Sequence, residues 1–161
     1  MEIIEYEKKY LEDVRDLLVE LEEYIVSIDE DELDIVGKDY REKMALVDLK
    51  EVEENNGKTY LAIENGKAIG LIMGIIRDYP EEDYLDYKCP VAGVITELVV
   101  SEKARSGGIG TLLMNKIEDY FLSCGCEYSF VDVFAYNKNA IDFYQNKRYH
   151  SRMYSMLKKL K

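Results

Sequence analysis

The residues best suited to chemistry are Arg105-Ser106-Gly107-Gly108-Ile109-Gly110-Thr111, which put three glycines at the mouth of an amphipathic helix. The apolar stripe of that helix follows at Leu112, Leu113, Ile117, Tyr120 and Phe121. A glycine-rich turn at a helix start leaves backbone N–H groups uncovered, and the helix dipole adds positive potential there. Such a turn is a seat for phosphate. It is not a P-loop, since no Lys-Ser/Thr pair follows the glycines. It is not a dinucleotide fingerprint either, because Leu113 stands where the third glycine would fall. What remains is Arg105-x-x-Gly108-x-Gly110, for which the plainer alternative is glycines that let a helix pack.

A second stretch lies downstream, from a strand exit into a short helix: Asn137-Lys138-Asn139-Ala140-Ile141-Asp142-Phe143-Tyr144-Gln145-Asn146-Lys147-Arg148-Tyr149. With the glycine turn it resembles the GNAT N-acetyltransferase superfamily. The turn is similar to that family's acetyl-CoA motif, (Arg/Gln)-x-x-Gly-x-(Gly/Ala). The later stretch is similar to its Asn-x-x-Ala-x-x-x-Tyr-x-x-x-Gly-Phe signature, without gaps. Arg148 departs from the pattern, standing where the family has glycine, and Tyr149 where it has phenylalanine. A positive φ at that turn would strain an arginine.

The resemblance implies an acetyl-CoA-dependent acyltransferase that moves an acetyl group to a primary amine by direct attack in a ternary complex. Acetyl-CoA is then a co-substrate, with its pantetheine arm against the backbone of Leu98, Val99 and Val100 as an added strand. The resemblance further implies that the pyrophosphate rests on the turn formed by Arg105, Ser106, Gly107, Gly108, Ile109, Gly110 and Thr111, with Asn137 as a polar contact. Tyr144 matches the family's acid for the leaving thiolate. Glu97, on the strand before the turn, matches the position of a base acting directly or through water; Thr96 and Asp132 are weaker candidates. The alternative on the same fold is a catalytically silent acetyl-CoA-binding module.

These residues need a scaffold, and the pattern supplies one. Met1 to Tyr6 reads as a first strand. Tyr10 to Ile25 and Asp39 to Glu54 read as helices, the second with Tyr40, Met44, Val47 and Val52 inward. Asn65-Gly66 joins Thr59–Glu64 to Lys67–Arg77 as a hairpin. Strands are expected at Ile95–Val100, Glu127–Ala135 and Tyr149–Leu157, with helices from Ile109 and over Asn139–Asn146. The order is α+β, a single domain over residues 1–161. The resemblance makes it a three-layer α/β/α fold. Its mixed, mostly antiparallel, twisted sheet should have about six to seven strands flanked by about four helices, with a splayed strand pair at the cofactor wedge.

Composition narrows the partners. The formal charge is −12, which argues against nucleic acid, since phosphate backbones select basic surfaces. Cys89, Cys124 and Cys126 make no even disulfide set, and with one histidine they form no zinc motif, so no metal is expected. The N-terminal residues lack signal-peptide character and no apolar run would span a bilayer. A soluble, cytoplasmic protein without membrane partners is expected, with a homodimer compatible with the family. The two most acidic runs, Asp29 to Asp34 and Asp78 to Asp86, fall where the resemblance puts the acceptor. A cationic small-molecule or peptide amine is therefore the expected substrate.

Overall fold

A computed structural model describes all 161 residues. Its sheet has five strands, β1 (Glu2–Glu5), β2 (Lys58–Glu64), β3 (Lys67–Ile76), β4 (Ala92–Val100) and β5 (Tyr128–Val131), in that spatial order. Neighbours are antiparallel except β4 and β5, which run parallel, joined by α3 (Ile109–Ser123). Two helices, α1 (Leu11–Ile28) and α2 (Tyr40–Glu54), precede β2, and α4 (Lys138–Asn146) follows β5.

The layers follow from two apolar clusters. One buries Val14, Leu17 and Leu18 of α1 and Ala45 and Val52 of α2 against Leu61, Leu71, Met73 and Val99. The other buries Ile109, Leu113, Met114, Ile117 and Phe121 of α3 against Ala62, Ile72 and Ile95, with Tyr144 of α4. Close approach of α3 depends on Gly93, where a Cβ would lie 2.3 Å from the Phe121 ring.

Three expectations are corrected. The sheet has five strands rather than six or seven, because residues 149–157 form no strand: the apolar residues Met153, Tyr154, Met156 and Leu157 do not alternate with polar ones, and no strand hydrogen-bonds to the segment. Strand β5 stops at Val131 instead of Ala135, because its pairing with β4 ends at Ile95–Val131. On α2, Val47 faces outward (56 % exposed) while Ala45 and Asp48 turn inward, since the apolar positions of this helix are too sparse to fix its rotation.

Why β4 leaves β5 is visible in its register. Met73 pairs with Glu97 but Gly74 pairs with Ile95, so Thr96 is an extra residue, a β-bulge. A bulge adds twist and bends the strand. It also reverses the alternation of faces: Ile95 joins the α3 cluster, yet Val99, an even number of residues on, joins the α1 cluster. The strands therefore splay, as expected, into a wedge beyond Ile95.

Candidate active site

Strand β4 offers the wedge a partly free edge. Ser101 N–H donates to Ile69 O (2.9 Å), and hydrogen-bonded positions alternate along an antiparallel ladder. Val99 thus spends its backbone groups on β3, while Leu98 and Val100 turn theirs toward the opening. Val100 O already accepts from Arg105 Nε (3.1 Å). The groups left for a ligand are Leu98 N–H, Leu98 C=O and Val100 N–H.

The glycine turn stands at the outer end of this edge. From Ser106 to Thr111 no backbone N–H has an acceptor within the chain; Leu112 is the first, donating to Gly108 O (3.1 Å). Gly108 caps α3 with a φ of +74°, and a Cβ there would point into open space. Ser106 also takes a positive φ, +69°. The turn is therefore a row of aimed donors at a helix N-terminus, electrically suited to an anion. The Arg105 side chain folds back instead of reaching outward: besides Val100 O it lies 3.6 Å from Glu20 and over the Tyr24 ring. Its role in the geometry is to pin the turn to the end of β4.

Wedge and turn together line a cavity of about 510 Å³, with Leu98, Val99, Val100, Arg105, Ser106, Gly108, Ile109, Gly110, Thr111 and Asn137 on its walls and Tyr144 at its inner end. Of the sequence-derived binding residues only Gly107 lies off this wall. Asn137 has a structural duty as well, since its Oδ1 caps α4 by accepting from Ala140 N (3.1 Å).

A second cavity, about 410 Å³, adjoins the first and shares Leu21, Leu98, Asn137, Ala140 and Tyr144 with it. Its walls carry Glu22, Tyr40, Thr96, Glu97 and Asp132. The bulge explains why Thr96 and Glu97, adjacent in sequence, both reach it. Burial, reinforced by the negative charges of Asp48, Glu22 and Glu51, pushes the Glu97 carboxyl up to about 8. Asp48 is itself 7 % exposed with Oδ2 unpartnered, and burial raises it to about 6. Burial, then Tyr149 and Glu97, holds the Tyr144 hydroxyl well above the ordinary tyrosine range. The site thus pairs a carboxyl that titrates near neutrality with a phenol that stays protonated.

The acidic runs lie elsewhere. Neither Asp29–Asp34 nor Asp78–Asp86 lines the second cavity. Asp29 is buried as a loop brace, accepting N–H bonds from Asp31, Leu33 and Asp34. The acidity facing the cavity comes from Glu22, Glu97 and Asp132. Tyr40, expected to face inward on α2, does so, whereas Glu22 and Asp48 gave no signal in the sequence, because each is one polar residue among many on a helix, and only tertiary packing turns them toward β4.

Arg148 takes the conformation that a glycine would, with a φ of +70°. Its N–H donates to Gln145 O (2.9 Å) and that of Tyr149 to Tyr144 O (3.0 Å), the two bonds of a Schellman turn closing α4. The substitution strains the turn without altering it.

Residues 12–148 match the family model of the acetyltransferase (GNAT) family. The chain belongs to the GNAT acetyltransferase family. No curated protein matches the sequence significantly. Among solved structures, a variant of the BH1408 protein from Bacillus halodurans is similar at a TM-score of 0.85 with 19 % identity, covering 99 % of both chains. The aminoglycoside antibiotic 6'-N-acetyltransferase AAC(6')-IG from Acinetobacter haemolyticus is similar at 0.71 with 16 % identity and full coverage of both. AAC(6')-Iy, solved with the bisubstrate analogue CoA-S-monomethyl-acetylneamine, is similar at 0.69 with 17 % identity, covering 99 % of this chain and 97 % of that one. This GNAT fold has no helix long and apolar enough to cross a membrane and no group of side chains arranged to hold a metal ion.

Proposed function

We propose that the protein is an acetyl-CoA-dependent N-acetyltransferase acting on a primary amine of a cationic small molecule or peptide. The observation that carries this reading is the junction of the two cavities at Tyr144, with Glu97 on the acceptor side. The residues present suit the co-substrate: the free groups of Leu98 and Val100 can pair with an extended amide arm, and the unpartnered amides of the turn can seat a pyrophosphate. AAC(6')-Iy, whose fold this chain shares, holds a CoA-linked acceptor analogue.

Bound acetyl-CoA would supply the thioester carbonyl that the amine attacks, and its thiolate would leave. The chain's own residues then have two tasks. Glu97, once ionised, takes a proton from the incoming ammonium, directly or through water, and leaves the amine nucleophilic. Tyr144, protonated across the neutral range, gives its proton to the departing sulfur at the cavity junction, and the phenolate is reprotonated by the second proton that the acylated nitrogen loses. Leu98 and Val100 would hold the arm along β4, on the cavity wall that they share with Tyr144. Glu22 and Asp132 face the same cavity and hold the acceptor's second positive charge. Arg148 leaves the α4 turn intact, so it lends no support to a silent acetyl-CoA-binding module.

Thiol release from acetyl-CoA, measured over a panel of amines, tests the reading. Diamines and basic peptides are expected to turn over far better than neutral or anionic amines. Equal rates for anionic amines would contradict a cationic acceptor.

A further inference from the structure

Tyr24 of α1 lines the first cavity, although neither the glycine turn nor the stretch from Asn137 points to it. The Arg105 guanidinium lies over its ring, 5.6 Å from the centroid, and its hydroxyl donates to Asn137 Oδ1 (3.4 Å). Arg105 opens the glycine turn at the outer end of that cavity, whereas Asn137 lines both cavities where they join. One half-buried side chain therefore touches both ends of the proposed cofactor seat. One helical turn earlier, Glu20 strengthens the outer contact: its Oε1 accepts the Glu102 N–H and lies 3.6 Å from Arg105.

The hydroxyl also decides how Asn137 can act on a ligand. A carboxamide oxygen has two lone pairs, and here it accepts both the Ala140 N–H (3.1 Å) and the Tyr24 hydroxyl. The side chain is left with its Nδ2 hydrogens, which no group of the chain accepts. Asn137 is thus a donor toward the cavities and not an acceptor. An extended amide arm between a pyrophosphate and a thioester carries carbonyl oxygens, which suit such a donor.

We propose, on the acetyl-CoA reading of this cavity, that Tyr24 is a positioning residue for the cofactor arm. It holds the Asn137 amide with its donors available to the arm, and through Arg105 it ties that amide to the turn that would seat the pyrophosphate. The covalent length of the arm is fixed, so the spacing of these two holds decides whether the thioester reaches Tyr144. Helix α1 sets that spacing more firmly than the turn and loop that carry Arg105 and Asn137.

Calorimetry with acetyl-CoA and steady-state kinetics on the full chain test the proposal in Tyr24→Phe, Asn137→Asp and the double variant. Tyr24→Phe keeps the ring on Arg105 and loses only the hydroxyl. It should raise Kd and KM for acetyl-CoA about 3- to 10-fold, with KM for the amine and Tm near those of the wild type. Asn137→Asp keeps an oxygen for Tyr24 and Ala140, so α4 stays capped, but has no N–H to give. It should weaken acetyl-CoA binding by at least as much, and adding Tyr24→Phe to it should change the affinity no further. Tyr24→Leu, which also frees Arg105, should weaken binding in either background. Wild-type affinity in Tyr24→Phe would overturn the role of Tyr24, as would an undiminished effect of Tyr24→Phe beside Asn137→Asp, or a rise in KM for the amine alone. A wild type that binds no acetyl-CoA would overturn the cofactor reading and this role with it.

Discussion

Tyr144 of α4 and Glu97 of β4 line one cavity from different layers of the fold, and the charge on Glu97 is among the forces that keep Tyr144 protonated. The proposed acid and base are thus coupled: ionising Glu97 makes Tyr144 hold its proton more firmly. Replacing Tyr144 by Phe removes the proton donor and keeps the ring that packs between Phe143 and Tyr149. Thiol release should fall by about 10²- to 10³-fold, with acetyl-CoA affinity by calorimetry and Tm near those of the wild type. Loss of binding along with turnover would assign Tyr144 to packing alone.

With Glu97 as the proposed base, it sets the expected pH dependence. Its carboxyl is pushed up to about 8, so at neutral pH most molecules hold it protonated and unable to act as a base. The rate kcat/KM should rise tenfold per pH unit below about 8 and level off above it. In Glu97→Gln this inflection should vanish and the plateau rate should drop. An unchanged inflection in the variant would move the base to another group.

The same shift has a consequence for stability. In the unfolded chain Glu97 titrates near the ordinary glutamate value of about 4.3, so between there and about 8 the folded form binds more protons. Stability contributed by the protonated form is full below the unfolded value and declines as pH rises through the folded one. Glu97→Gln should therefore raise Tm by several degrees at pH 9 and by little at pH 4.5, read by thermal unfolding. A gain of equal size at both pH values would mean that Glu97 is not buried against negative charge.

Arg148 pays the conformational cost of a left-handed turn that a glycine would adopt freely. Arg148→Gly should stabilise the protein by about 1 kcal/mol, a rise in Tm of about 2–4 °C, without changing turnover. A fall in Tm would show that the arginine side chain holds the turn by a contact of its own.

At the proposed phosphate seat, Gly108 combines a positive φ with open space where its Cβ would point. Gly108→Val should weaken acetyl-CoA binding at least ~10-fold, through strain and through occupation of the seat, and should abolish thermal stabilisation by CoA. Wild-type affinity in this variant would place the pyrophosphate away from the turn.

Much of this arrangement is legible in the residues because it depends on local pattern. Glycine spacing, the helical stripe from Ile109, the Asn65-Gly66 hairpin and the stretch from Asn137 to Tyr149 each declare themselves within a few positions. Even the positive φ at Arg148 follows from a single departure. The illegible parts are those that tertiary packing decides. The Thr96 bulge breaks the alternation by which a strand's faces are read, so no counting along Ile95–Val100 would send both Thr96 and Glu97 to one cavity. Glu22 and Asp48 acquire meaning only when α1 and α2 bring them to β4, while the conspicuous acidic runs brace or border loops outside the cavity. The stretch after Tyr149 is expected as a strand, yet its apolar residues do not alternate and nothing in the local sequence fixes a partner for it.

The central claim is that the two cavities form one acetyl-transfer site meeting at Tyr144. Its most direct test is mass analysis of a diamine acceptor after incubation with acetyl-CoA and the wild type or the Tyr144→Phe variant at pH 8.5. A singly acetylated amine in step with thiol release from the wild type, and almost none from the variant, is the predicted result. Tight acetyl-CoA binding with no acetylated product from any amine or basic peptide would contradict it.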